Sequence, residues 1–192
     1  MGLMLELEWG LPVYGTVYLV SGLCSSLLSC MALPDTLGVG SSGALMGLLG
    51  AWLVEIVLKW GALAPEEVPT KAAHLVLVFL NIVITLSFST VPYVDWAAHM
   101  GGLLGGMLVS AVIFAPHLKV TPSPAPPSAA PLFRGLRTQD PRVLVRAGAG
   151  LALAAYLATG FAVVAAVLEP SRHLLRVCEY FREAFADPNM PC

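Results

Sequence analysis

Long apolar runs broken by short polar clusters dominate the chain. Residues 11–33, 39–60, 72–91, 96–115 and 144–168 are each apolar over nearly their whole length. A helix that crosses the hydrocarbon core needs about 20 mostly apolar residues, so each run is long enough to span a membrane. Breakers separate them: Pro34 with Asp35, then 65–69, then 92–95. Residues 117–142 are rich in Pro, Ser and Ala and read as a flexible linker with polyproline character. The pattern predicts an all-α, polytopic membrane helix bundle with about five transmembrane helices. Its parts are a helical core over 1–115, a Pro-rich cytosolic linker over 116–142, an additional transmembrane helix over 143–168 and a polar tail over 169–192.

Composition narrows the solvent. Of the 192 residues, 57% are hydrophobic and 11% charged, against about 25% charged in soluble domains; the mean hydropathy is +0.80. Such a chain cannot cover itself with polar surface, so the lipid bilayer is its expected partner. The net charge of -2 provides no basic stripe for nucleic acid. The first ten residues have no basic segment, and Glu6 and Glu8 interrupt their apolar stretch, so insertion is expected to rest on the internal spans. Cys24 and Cys30 fall on different faces of one helix and read as small fillers. Cys178 and Cys192 lie in the tail, where pairing requires an oxidising compartment. His74, His117 and His173 are scattered without Cys/His spacing, so neither a metal nor a cofactor is expected.

Charge orients the spans. Lys59 and Lys71 follow the second run, and Lys119, Arg134, Arg137, Arg142 and Arg146 surround the linker. Basic loops stay in the cytosol. The loops at 34–38 and 92–95 carry no Lys or Arg and then face the lumen or exterior; so does the tail, a mild exception whose Arg172, Arg176 and Arg182 are balanced by Glu169, Glu179, Glu183 and Asp187.

That parity brings two polar residues together. The second and fourth runs enter the membrane from the same side, with Ser42 a few residues inside one and His99 a few residues inside the other. At 1.5 Å per residue both sit about 5 Å below the same end. Gly43, Gly47 and Gly50 follow Ser42 at helical spacing, and Ala98, Gly102, Gly106 and Ser110 make a small residue every fourth position around His99. Small faces let helices approach closely in lipid. The same glycines suit ordinary helix packing, and His99 suits a satisfied polar group, but an ionisable residue inside a span is a functional candidate. Other polar residues read more simply. Glu55 is positioned to pair with Lys59, Asn81 to bond a neighbouring helix, Ser87 and Ser89 to bond their own helix, and Asp95 to cap the fourth span, with a third catalytic role as its lesser alternative.

Three segments carry a family resemblance. Gly40-Ser41-Ser42-Gly43 resembles the G-x-S-G motif of rhomboid intramembrane serine proteases. Ala98-His99 followed by Gly102 and Gly106 resembles that family's A-H-x-x-G-x-x-x-G helix, and Gly2-x-x-Leu5-Glu6-x-x-x-Gly10 resembles its G-x-x-L-E-x-x-x-G junction. The resemblance covers about residues 2–115, and the extra span is similar to the arrangement of eukaryotic secretory-pathway members. It implies a Ser-His dyad of Ser42 and His99, an oxyanion side built on the backbone near Gly40 and Ser42, and helix packing through Gly43, Gly47, Gly102 and Gly106. It also implies cleavage of transmembrane protein substrates without a cofactor, in an integral, multi-pass protein of the Golgi, endosome or plasma membrane. Met46 stands where the family often carries an aromatic residue. The family's H-x-x-x-N oxyanion motif would fall upstream of Gly2, so the first two core helices are expected to be missing and the activity of this form is left open. The competing expectations are a non-catalytic rhomboid-like protein that binds transmembrane clients and an unrelated small membrane scaffold or transporter.

Overall fold

The structure is a computed structural model that describes residues 2–34, 40–89, 91, 94–119 and 140–167. Among the described residues, six α-helices follow one another: α1 (Gly2–Trp9), α2 (Leu11–Ala32), α3 (Ser42–Lys59), α4 (Val68–Phe88), α5 (Trp96–Phe114) and α6 (Pro141–Val167). Short 3-10 turns at Trp60–Ala62 and Ala115–His117 extend α3 and α5. No strand occurs among the described residues. Five of these helices, α2 to α6, are long and apolar enough to cross a membrane, so the chain is a polytopic helical membrane protein.

Helix boundaries moved where local chemistry decides them. The third run was expected to start at 72, after the 65–69 breaker, yet α4 begins at Val68. Pro69 lies in its first turn, where a missing N–H costs no helical hydrogen bond. The second run was expected to open at 39, but α3 opens at Ser42. Gly40, two residues before that start, has φ of 133°, a left-handed conformation that a side chain would strain and that no α-helix adopts. Pro141 starts α6 within what was expected to be linker, with the Asp140 carboxylate accepting from Arg142 N at 3.0 Å. Residues 120–139 and the tail, including Cys178, His173 and Cys192, lie outside the described residues.

α3 and α5 form the centre. About 61% and 56% of their most apolar stretches are buried, against 11% for α4 and 6% for α6. Their crossing is built on glycine. A methyl at Gly102 would overlap the Gly43 carbonyl, and one at Gly106 would overlap that of Gly47. Methyls at Gly43 and Gly47 would run into Ser25 and Ser21 of α2, and one at Gly105 into Cys24. Three helices therefore meet at backbone distance, which strengthens van der Waals attraction where lipid gives no hydrophobic drive between helices. Farther along, the buried Ser110 hydroxyl donates to the Ala51 carbonyl at 2.8 Å. Trp52, Leu48, Met46 and Phe114 fill the rest of the core with Leu5 and Trp9 of α1.

The bundle has two chemically different ends. One gathers Trp9, Glu55, Lys59 and Lys71. Glu55, 1% exposed, takes the Lys59 ammonium at 2.5 Å and the Trp9 indole N–H at 2.8 Å. Lys71 bridges to Glu8 at 2.8 Å, tying α4 to α1. The Lys59–Glu55 pair follows the expected spacing. Asn81 does not follow expectation: its amide donates to the Leu77 carbonyl of its own helix at 2.8 Å. Most of α4 is exposed, so the amide satisfies itself with the carbonyl one turn back. The additional helix α6 is fastened by the Tyr156 hydroxyl, which donates to the Cys24 carbonyl at 2.8 Å, and by Gly160 against Leu27.

Candidate active site

The opposite end collects the termini of four helices. α2 ends there beyond Ser29, α3 starts with Ser42, α4 closes on Ser89, and α5 starts after Asp95. Asp95 caps α5 by accepting from Ala98 N at 2.8 Å. Its other carboxylate oxygen accepts from the Ser29 hydroxyl, which joins α2 to the cap. Both Asp95 oxygens are thus engaged in holding the start of α5, as the capping role requires.

Within this end, His99 Nε2 stands 3.0 Å from Ser42 Oγ. The serine is exposed at the first position of α3, not a few residues inside as the longer expected helix implied, while the imidazole is 6% exposed. The two helices reach this distance because their glycines meet next to it: Gly43 follows Ser42 directly, and Gly102 lies three residues after His99. A reachable hydroxyl beside a sheltered imidazole is the arrangement in which a base can take the serine proton as the oxygen attacks. The first N–H groups of α3 have no partners within their own helix. The N–H of Ser42 is one of them, the type of donor that the carbonyl oxygen of an acyl group attacked by Ser42 would need. Gly40 leaves open space over Ser42: even a Cβ there would stand 3.9 Å from the Ser42 hydroxyl. An open groove of about 380 Å³ lies between α2 and the start of α3, lined by Tyr18, Gly22, Ser26, Gly40 and Ser41, without including Ser42 or His99.

One residue at the site was not singled out for it. Ser89 Oγ lies 2.5 Å from His99 Nδ1, whereas its position in the third run predicts only a bond to its own helix. That bond exists too, to the Thr85 carbonyl at 2.7 Å. The signal was available: the third run ends on the side where the second and fourth begin, so its last residues share the depth of Ser42 and His99. Among the described residues no group of three His, Cys, Asp or Glu is placed to hold a metal ion.

Comparison with known proteins covers the same part of the chain. The family model described as Rhomboid domain matches residues 1–116. RHOMBOID-like protein 7 of Arabidopsis thaliana is 40% identical over 112 residues, which are 58% of this chain and 34% of that protein. Rhomboid-like protease 5 of Toxoplasma gondii is 38% identical over 105 residues, 55% of this chain and 12% of that one. Inactive rhomboid protein 1 of Danio rerio is 33% identical over 103 residues, 53% of this chain and 11% of that one. The chain thus matches about a third or less of the length of these relatives. No solved structure matches it. The match takes in well over half of the chain and every residue of the α3–α5 crossing, and the chain belongs to the rhomboid family.

Proposed function

We propose that this chain carries the reaction centre of an intramembrane serine endopeptidase that cleaves transmembrane protein substrates. Ser42 is the nucleophile and His99 its general base. The observation that carries the proposal is the 3.0 Å approach of Ser42 Oγ to His99 Nε2 at the glycine crossing. His99 takes the Ser42 proton while Oγ bonds to the scissile carbonyl carbon, and the oxyanion is met by N–H groups at the start of α3. The imidazolium returns the proton to the leaving amine. A water then gives a proton to His99 as its oxygen bonds to the acyl carbon, and His99 returns that proton to Ser42 Oγ as the ester bond breaks. The reaction needs no cofactor. The helical core over 1–115 holds this centre, and α6 after the linker is an accessory span.

The basic residues at the other end of the bundle, Lys59 and Lys71, assign that end to the cytosol, so the reaction centre faces the lumen or exterior. A secretory-pathway membrane is the compartment that fits this orientation. A second reading has a specific motive, since one relative carries the printed name of an inactive rhomboid protein. In that reading the same bundle binds transmembrane clients without cutting them.

The deciding experiment reconstitutes the chain in liposomes with a transmembrane reporter and compares it with Ser42→Ala. Cleavage abolished by Ser42→Ala supports the endopeptidase. Cleavage that persists in Ser42→Ala excludes this nucleophile. Stable reporter capture without cleavage, equal in both forms, favours the client-binding reading.

A further inference from the structure

α4 stops by folding its last polar groups onto one carbonyl. Ser89 N–H reaches the Thr85 carbonyl at 3.0 Å, and the Ser89 hydroxyl donates to the same carbonyl at 2.7 Å. A hydroxyl has one proton and two lone pairs. With its proton directed at Thr85, Ser89 Oγ faces His99 Nδ1, 2.5 Å away, as an acceptor. That arrangement calls for the imidazole proton on Nδ1, which leaves the Nε2 lone pair for Ser42 Oγ, 3.0 Å away. Both Ser89 and His99 are buried, at 4% and 6% exposure, so bulk water does not compete for that nitrogen.

We infer that Ser89 is a positioning residue that fixes His99 in the tautomer able to take the Ser42 proton; this rests on the proposed reaction. A carboxylate does the corresponding work in Ser-His-Asp triads. Here the nearest carboxylate, Asp95, is spent on Ala98 N–H and the Ser29 hydroxyl. A neutral hydroxyl that passes its own proton to a backbone carbonyl avoids an anion in a low-dielectric site, where an incompletely paired charge is expensive. The orientation of the base then depends on α4, a helix that contributes neither reacting atom. α4 buries few of its side chains, among them Val78 and Ile82, so the Ser89 contact couples a lightly held helix to the reactivity of the α3–α5 pair.

The test uses the full chain in nanodiscs with 15N-labelled histidine, the His99 signal being assigned by its loss in His99→Gln. The expected wild-type spectrum has the His99 proton on Nδ1. Ser89→Ala should populate the Nε2–H form and slow labelling of Ser42 by a fluorophosphonate roughly 10- to 100-fold, the scale of one misplaced hydrogen bond in a proton transfer. Ser89→Thr, which keeps the hydroxyl, should restore both readouts. A wild-type proton on Nε2 would overturn the inference. So would a Ser89→Ala form with unchanged tautomer, or equal losses of labelling and thermal stability in the Ala and Thr forms. A wild-type chain that takes no label sinks the endopeptidase proposal, while the tautomer measured in the same sample still decides the role of Ser89.

Discussion

Replacing Gly102 by Ala is the sharpest probe of how the crossing sets the chemistry. The added methyl would lie 2.6 Å from the Gly43 carbonyl carbon and nearer still to its oxygen. Ordinary carbon contacts begin near about 3.5 Å, and the obstacle is backbone, which cannot swing aside as a side chain can. The helices must part locally by about 1 Å or tilt to the same effect. Ser42 precedes Gly43 by one residue, so such a shift carries its hydroxyl with it. The 3.0 Å approach to His99 would open beyond hydrogen-bonding range, which ends near about 3.5 Å. Overpacking of this kind costs about 1–3 kcal/mol, and a 1 Å displacement of reacting groups costs about 10²-fold in rate. The assay is the rate of fluorophosphonate labelling of Ser42, with thermal unfolding measured alongside. Gly148→Ala is the control, because its methyl meets nothing within 4 Å on the exposed face of α6, and it should leave the labelling rate unchanged. A Gly102→Ala form with wild-type labelling and wild-type stability would refute the reasoning.

Two further outcomes follow from the packing. Among the described residues, Lys59→Met leaves the buried Glu55 carboxylate with the Trp9 indole as its partner, and should cost about 1–3 kcal/mol in thermal unfolding. The double form with Glu55→Gln should recover most of that loss, and an unchanged midpoint in Lys59→Met would contradict the pairing. Tyr156→Phe removes the bond to the Cys24 carbonyl and should cost about 0.6–1.5 kcal/mol, the range of interhelical hydrogen bonds in bilayers. It should lower the thermal midpoint and leave Ser42 labelling unchanged, whereas slower labelling would place α6 in the reaction.

What the sequence revealed and what it hid have a common cause. Span count, the pairing of Ser42 with His99 and the glycine faces were legible because length, parity and a repeat every fourth residue are properties of the chain as written. Helix starts were less so. The proline cluster at 65–69 reads as a breaker, but Pro69 is also well suited to a first turn, and only the structure distinguishes these uses. Ser89 was hidden for a different reason. Its bond to Thr85 is the ordinary behaviour of a helical serine, and its second contact depends on how α4 leans against α5. Trp9 was hidden in the same way: nothing near it in sequence announces that its indole satisfies Glu55 across 46 residues. Polar residues with two partners are under-read when the local partner already explains them.

Mapping the labelled serine tests the central claim most directly. The full chain in nanodiscs is treated with a fluorophosphonate, digested, and the adduct located by mass spectrometry. A single adduct on Ser42 that disappears in His99→Ala is the predicted result. An adduct on another serine, or one on Ser42 that forms equally fast without the His99 imidazole, would contradict it.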